Sequence, residues 1–185
     1  VLGAALQTHY EDVDVLRAAV DALYGLAAAA EPLRRSLAQR DSIGAGLAMA
    51  LRSVAADVEV ARTASVTLEL LGRDGDNVAQ LVHDDCGVAA LVVLHRYTDD
   101  VEVAAAACGI LKHLAVLTNR GSLACDGAGA AAVAVLQRHA SDARVAANAC
   151  GLLSLLVPSQ SDRAALARDA TMGFAVAAAL THHPD

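Results

Sequence analysis

Histidine and cysteine are the residues of this 185-residue chain that could ligate a metal or act as a nucleophile. The chain contains seven histidines and four cysteines, and a metal site needs several such residues at matched spacing. His83 and Cys86 lie three positions apart, but two carboxylates and a predicted helix break separate them. The sequence has no His-x-x-x-His, His-Glu-x-x-His or Cys-x-x-Cys motif. It therefore predicts no metal site and no cofactor.

The other reactive residue types do not form a catalytic constellation either. Asp84 and Asp85 cannot work as an acid–base pair on a helix, because neighbouring residues point in different directions. Cys108 and Cys150 are typical of small buried apolar residues. The chain has no phosphate-binding or dinucleotide-binding glycine motif. We therefore expect no enzymatic activity and no small-molecule substrate.

Composition and charge exclude several classes of protein. Hydrophobic residues make up 56% of the chain and aromatic residues only 2%, which excludes disorder and predicts a core of many small contacts. The net charge of −7 and the lack of a basic stripe argue against nucleic-acid binding. The longest apolar runs, 87–94 and 127–136, are too short for a membrane span. No targeting signal is recognisable, which favours the cytoplasm, with the nucleus or a ciliary axoneme as alternatives.

An internal repeat is the most informative feature of the sequence. The stretch 87–111 aligns without a gap with 129–153, at an offset of 42 residues. Matching columns continue upstream at offsets of 43 and 45 residues, and Gly173 follows Gly129 by 44. Four or five units of this length therefore form a single array over 1–185, with breaks near 29–31, 73–76, 117–119 and 158–161.

Each unit is predicted to contain three helices. The apolar columns of the third helix fall at i, i+4, i+8 and i+11, which is one face of an α-helix. Asp57, Asp100 and Asp142 precede these helices as N-caps would, and a glycine column allows a turn before each second helix: Gly44, Gly87, Gly129 and Gly173. The first helices are expected at 31–40, 76–84, 119–126 and 161–169, the second at 1–9, 45–55, 88–97, 130–140 and 173–181, and the third at 12–28, 57–72, 100–116 and 142–157.

A unit of about 42 residues with three helices and a turn glycine resembles the armadillo repeat. Leu-Lys-His-Leu-Ala at 111–115 stands where that family has Leu-x-Asn-Leu-Ala, and Asn-Arg-Gly-Ser-Leu-Ala at 119–124 resembles its entry helix. The resemblance implies an all-α fold, a right-handed superhelical α-solenoid of about four three-helix repeats. The HEAT repeat is the structural alternative. Because solenoid ends normally carry polar caps, we expect the chain to be a fragment of a longer array or larger protein.

In the armadillo family the third helices line a concave surface, which binds extended peptides or helices of other proteins. Many members hold the partner with an Asn ladder flanked by Trp. The positions that match the Asn ladder are Gly25, Leu70, His113 and Leu155, and those that match the Trp column are Asp21, Val66, Gly109 and Gly151. Neither ladder is present, which disfavours recognition of a basic localisation signal.

The expected groove is therefore partly apolar, with basic character near its start from Arg17 and Arg62. Gly109 and Gly151 would allow a partner backbone to approach closely. The predicted groove residues are Arg17, Asp21, Arg62, Val66, Leu70, Gly109, His113, Gly151 and Leu155. In the alternative, Leu70 and Leu155 turn into the core and the two glycines serve only helix packing.

These observations predict a non-enzymatic scaffold or adaptor that holds a partner protein segment on the surface of the third helices. The partner is expected to be an extended peptide or an amphipathic helix. A structural component of a large assembly such as a ciliary axoneme is one alternative, and a regulatory armadillo domain of a multidomain enzyme is another. A nuclear-transport adaptor is disfavoured by the missing ladders.

Overall fold

A computed structural model describes residues 1–39, 43–53, 57–116, 127–156, 177–178 and 181–182. Within these ranges the secondary structure is helical and contains no β-strand. The ten helices are α1 (Leu2–Thr8), α2 (Val13–Ala29), α3 (Glu31–Ala38), α4 (Ile43–Arg52), α5 (Val58–Gly72), α6 (Gly75–His83), α7 (Cys86–Arg96), α8 (Val101–Ala115), α9 (Ala128–His139) and α10 (Ala143–Leu156). The all-α prediction is confirmed for this part of the chain.

Helices separated by one unit length pack against one another. The third helices form a row in which α2 contacts α5, α5 contacts α8 and α8 contacts α10. The second helices form a parallel row from α1 through α4 and α7 to α9. The first helices α3 and α6 pack against each other and against α5. The first helices predicted at 119–126 and 161–169 lie outside the described residues.

The core lies between the two rows and follows the apolar columns of the sequence. Val60, Val103 and Val145 are buried, as are Ala64, Ala107 and Ala149 one turn further along. The leucine column is buried in all four third helices, at Leu23, Leu68, Leu111 and Leu153. Each third helix therefore contributes one continuous apolar stripe, because residues four apart lie on the same face.

The middle of helix α8 is buried on all sides. Every residue from Val103 to Leu111 is buried, and the run includes four consecutive alanines and Gly109. Small side chains let α5, α7 and α10 approach α8 closely. Alanine therefore forms much of the contact between these helices. A helix that is apolar all round is expected only where neighbours cover every face.

Aspartate side chains begin the third helices and also bind the preceding third helix. Asp57 accepts the Val60 N–H at the start of α5 and a 2.6 Å contact from Arg17 of α2. Asp100 accepts the Glu102 and Val103 N–H groups of α8 and the Arg62 guanidinium of α5, with an Nε–Oδ2 distance of 2.8 Å. Asp142 accepts the Val145 N–H of α10. It has no arginine partner from α8, because Ala105 stands there at the position equivalent to Arg62. The predicted caps are confirmed.

The turn before each second helix differs from the prediction. Gly44, Gly87 and Gly129 are the second residues of α4, α7 and α9, so the glycine column lies inside the helices. The left-handed backbone is instead adopted two positions earlier, by Asp85 with φ 57° and Gly127 with φ 87°. Aspartate and glycine both tolerate this conformation. The turns predicted at Gly44, Gly87 and Gly129 were therefore wrong, and these helices begin two residues before the predicted 45, 88 and 130. Gly173 and most of the second helix predicted at 173–181 lie outside the described residues.

No single helix in the described ranges is both long enough and apolar enough to cross a bilayer. Taken together, α6 and α7 reach the necessary length and composition, but they are bent by 80° at their junction.

Asp100→Ala is expected to cost about 1–2 kcal/mol of unfolding free energy, because α8 loses its N-cap and Arg62 keeps only Glu59 of its two carboxylate partners. The adjacent Asp99→Ala is the matched control and should change stability by less than about 0.5 kcal/mol. Asp99 is 84% exposed, whereas Asp100 is 13% exposed. Urea denaturation measures both variants, and an equal cost for the two would contradict the capping role.

The same cap predicts a pH dependence. Burial alone would raise the pKa of Asp100, but hydrogen bonds from Arg62 and from the Val103 N–H outweigh it and hold that pKa below its ordinary value. The stabilisation is therefore complete above about pH 4 and is lost as the pH falls through the folded-state pKa. Asp100→Ala should remove this part of the acid destabilisation, while Asp99→Ala should leave it in place.

Gly46→Ala is expected to destabilise the packing of α1 on α4 by about 1–3 kcal/mol. A Cβ at this position would lie 2.9 Å from the Gly3 carbonyl oxygen, so two helix backbones would have to separate. Gly25→Ala in α2 is the control, because open space surrounds that position and alanine favours the helix by up to about 1 kcal/mol. Thermal melts of both variants test the difference, and an unchanged Tm for Gly46→Ala would contradict the close contact.

Candidate functional site

The predicted groove residues do not share one environment. Val66, Leu70, His113, Gly151 and Leu155 are half-buried, whereas Gly109 is buried and Asp21 is exposed. The predicted basic start of the groove is neutralised, because the guanidinium groups of Arg17 and Arg62 are bound to Asp57 and Asp100. Leu70 and Leu155 pack against the edge of the core. These two leucines are therefore partly structural and do not form a free apolar floor.

The space above the two glycines is occupied by charged side chains of the preceding third helix. At Gly109, the position of a Cβ lies 2.8 Å from the Glu69 Cδ, and at Gly151 it lies 2.8 Å from the Lys112 Cδ. Glu69 and Lys112 are themselves equivalent positions of α5 and α8. The glycines thus make room for side chains of this chain, and the expected approach of a partner backbone at Gly109 and Gly151 is not available.

Glu69 lies at the centre of a polar cluster formed by α5, α8 and α10. Its side chain is 6% exposed, and its carboxylate oxygens lie 3.1 Å from the Arg73 Nη2 and 3.6 Å from the Arg144 Nη2. Arg144 belongs to α10, so this contact passes across α8 above Gly109. The absence of a side chain at Gly109 is the steric condition for it.

Asn148 and Lys112 extend the cluster along α8 and α10. The Asn148 Nδ2 donates to the Ala105 carbonyl at 2.9 Å, and its Oδ1 accepts from Lys112 Nζ at 2.6 Å. The same Nδ2 lies 3.0 Å from the Cβ position of Gly109, directly beside Glu69. We call this group the Glu69 cluster; it consists of Glu69, Arg73, Lys112, His113, Arg144 and Asn148.

The Glu69 cluster carries more positive than negative charge at pH 7. Burial and the nearby Lys112 ammonium lower the pKa of His113 below its ordinary value of 6.5, although Glu69 opposes this. His113 is therefore mainly neutral at pH 7. Arg73, Lys112 and Arg144 contribute three positive charges against the one negative charge of Glu69.

The described cysteines are not poised for nucleophilic chemistry. Burial raises the pKa of Cys108 to about 12 and raises the pKa values of Cys86 and Cys150 as well. A thiolate is required for attack or metal binding, and burial disfavours it at neutral pH. Among the described residues, no three His, Cys, Asp or Glu side chains are arranged to hold a metal ion.

An open pocket of about 400 Å³ lies between α3 and the start of α6, beside Arg73. Its charged groups are largely satisfied from within, because Arg35 binds Asp74 at 3.0 Å and also lies near Glu31 and Asp76. The bond to Asp74 raises the pKa of Arg35. The balanced charge makes this pocket a weaker candidate than the Glu69 cluster.

The sequence prediction included Gly109, His113 and Gly151 of this region but missed Glu69, Arg73, Lys112, Arg144 and Asn148. One signal could have found part of the set: Glu69 and Lys112 occupy the same repeat position, next to the apolar columns of α5 and α8. Charged residues at such positions need compensating partners. The identity of those partners depends on which helices meet.

No protein-family model matches this chain, and comparison with curated proteins likewise gave no significant match.

Because the Glu69 carboxylate is buried, removing its arginine partners should cost more stability than removing the arginines and the carboxylate together. Arg73→Met combined with Arg144→Met should cost about 2–4 kcal/mol, because Glu69 stays buried without its two guanidinium partners. Adding Glu69→Gln should recover most of that loss, since the amide has no charge to compensate. Urea denaturation of the double and triple variants measures this. Equal stability of the two would show that Glu69 is not compensated by these arginines.

Proposed function

We propose that the chain is a non-enzymatic protein-binding scaffold built as a right-handed armadillo-type solenoid of about four repeats. The stacking of equivalent helices supports this fold. Side-chain hydrogen bonds repeatedly join residues between 36 and 43 positions apart, including Arg62 to Asp100, Cys86 to Gly44 and Asn148 to Ala105. Contacts repeated at one unit length are typical of repeat proteins, in which each unit packs on its neighbours.

The observation that carries the proposed function is one continuous surface formed by three third helices. We call it the third-helix face and define it by Arg62, Val66 and Glu69 of α5 and Arg73 directly after it, Gly109, Lys112 and His113 of α8, and Arg144, Ala147, Gly151 and Ser154 of α10. Side chains of α5 and α10 meet above α8, so the three helices present a single surface. Within the described ranges no other helix covers Arg73, Arg144, Ala147 or Ser154, which are exposed.

This surface combines half-buried apolar groups with exposed charges, as recognition surfaces for peptides and helices do. In the proposal a partner segment lies across α5, α8 and α10. It contacts the half-buried Val66 and the polar groups of α8 and α10.

A matched pair of alanines tests this function. Ala147 lies exposed on α10 in the third-helix face, and Ala134 lies exposed on α9 outside it. Ala147→Glu places a charge in the proposed contact without disturbing the core. Leu70→Glu or Leu155→Glu would place a charge there and would also disturb the core. Wild type, Ala147→Glu and Ala134→Glu are used for affinity capture from extract of the source cells, followed by mass spectrometry.

We expect wild type and Ala134→Glu to capture the same partners. Ala147→Glu should capture those partners about tenfold less or more weakly still. Circular dichroism melts check that the variants remain folded. Equal retention by all three proteins would contradict binding at the third-helix face, as would the absence of any specifically captured protein.

A further inference from the structure

The Glu69 cluster has a charge opposite in sign to that of the chain as a whole. The chain has a net charge of −7, yet three cations surround one carboxylate in this cluster. The surplus is confined to residues of α5, α8 and α10 that belong to the third-helix face. Interfaces place complementary charges opposite each other, so a basic patch on an acidic chain suits an acidic partner.

The positions of the charges show which of them a partner can reach. Glu69 is 6% exposed, whereas Arg73 and Arg144 are 55% and 54% exposed. Each arginine directs one terminal nitrogen to Glu69, so the rest of its planar donor set faces away from the buried carboxylate. Glu69 therefore accepts a hydrogen bond from Arg73 and lies at ion-pair distance from Arg144, while about half of each arginine side chain stays exposed.

We propose that the Glu69 cluster binds the carboxylates of an acidic partner segment, with Arg73 and Arg144 as the principal ligands and Lys112 as a third charge. This inference rests on the proposed function and names the chemistry of the partner. Guanidinium groups bind carboxylates through parallel hydrogen bonds, which gives directionality as well as charge. The hydrogen bond to Glu69 reduces the rotational freedom that Arg73 loses on binding.

A peptide fits this cluster better than a nucleic acid does. Three cations around a buried anion leave a compact surplus of two charges, whereas nucleic-acid binding uses a long basic stripe. The acidic remainder of the chain would repel a polyanionic backbone beyond the cluster. A short acidic segment, anchored at one or two carboxylates, avoids most of this repulsion.

Fluorescence anisotropy with labelled hexaglutamate tests the proposal, with hexaglutamine, hexalysine and oligo(dT) as comparison probes. Two arginines form a matched pair: Arg144 is 54% exposed and lies 3.6 Å from Glu69, and Arg138 of α9 is 52% exposed and forms an ion pair with Asp99. The variants are Arg144→Ala, Arg138→Ala and Lys112→Met, each checked for folding by circular dichroism. Lys112→Met retains the stem that packs over Gly151, so it serves as the second variant should Arg144→Ala disturb the fold.

Hexaglutamate is expected to bind, and its Kd should rise about tenfold or more in Arg144→Ala and in Lys112→Met. Arg138→Ala should leave the Kd within about twofold. Added salt should weaken binding, because the contact is between exposed charges. No binding of hexaglutamate, an equal effect of Arg138→Ala, or tighter binding of oligo(dT) would each overturn the proposal.

Lys112 is the only lysine in the chain, which allows a second measurement. A carbodiimide joins an amine to a carboxylate that touches it, so bound hexaglutamate should be cross-linked at Lys112. Lys112→Arg keeps the charge but removes the amine, and it should lose this cross-link while the Kd stays within about twofold. A cross-link mapped elsewhere, with none at Lys112, would place the peptide outside the cluster and overturn the proposal.

The two proposals fail in different ways. If hexaglutamate does not bind but Ala147→Glu still loses captured partners, the third-helix face is a binding surface and the acidic chemistry is wrong. If hexaglutamate binds through Arg144 but Ala147→Glu keeps every partner, the cluster is a carboxylate site and the proposed scaffold function is wrong.

Discussion

The close approach of α8 to the third helices on either side is the constraint on which the rest of this structure depends. Alanine and glycine occupy the sides of α8, so α5 and α10 lie near enough for their side chains to meet across it. A larger residue at Gly109 would collide with Glu69 and Asn148. The spacing of the helices and the location of the polar cluster therefore have a common steric origin.

Aspartate caps connect local structure to the stacking of helices. Asp57 and Asp100 satisfy backbone N–H groups at the start of a helix and also accept an arginine from the helix before it. The Val60 N–H and the Arg17 guanidinium both lower the pKa of Asp57, although burial opposes them, so this carboxylate serves as a helix cap and as an ion-pair partner. Exposed ion pairs contribute little to stability on their own. Their contribution here is to align consecutive third helices, while the buried leucine and valine columns supply most of the stabilisation.

Burying a carboxylate in this packing has an electrostatic consequence. Glu69 is enclosed and requires compensation, and the arginines that provide it come from the end of its own helix and from two helices along the row. The compensation exceeds the charge of Glu69, since Lys112 also lies close by and is held by Asn148. A structural requirement thereby produces an exposed basic patch on an acidic protein, and this patch is the basis for the carboxylate chemistry inferred above.

The sequence by itself determined the helices, their caps and their buried faces. Helical periodicity and aspartate capping are local, because they depend on residues within about a turn of each other. The columns at Val103, Ala107 and Leu111 could therefore be read directly, and they are buried as expected. The resemblance to armadillo repeats came from the same local pattern and supplied the expectation of a groove.

Only the tertiary structure decided what occupies that groove and which charges are neutralised there. The pairing of Arg62 with Asp100, the filling of Gly109 by Glu69 and the reach of Arg144 across α8 all join residues of different helices. These contacts depend on the distance and stagger between packed helices, and a repeating sequence does not specify either at the resolution of a hydrogen bond. The left-handed turn at Asp85 was missed because the glycine two positions later offered the more familiar turn signal.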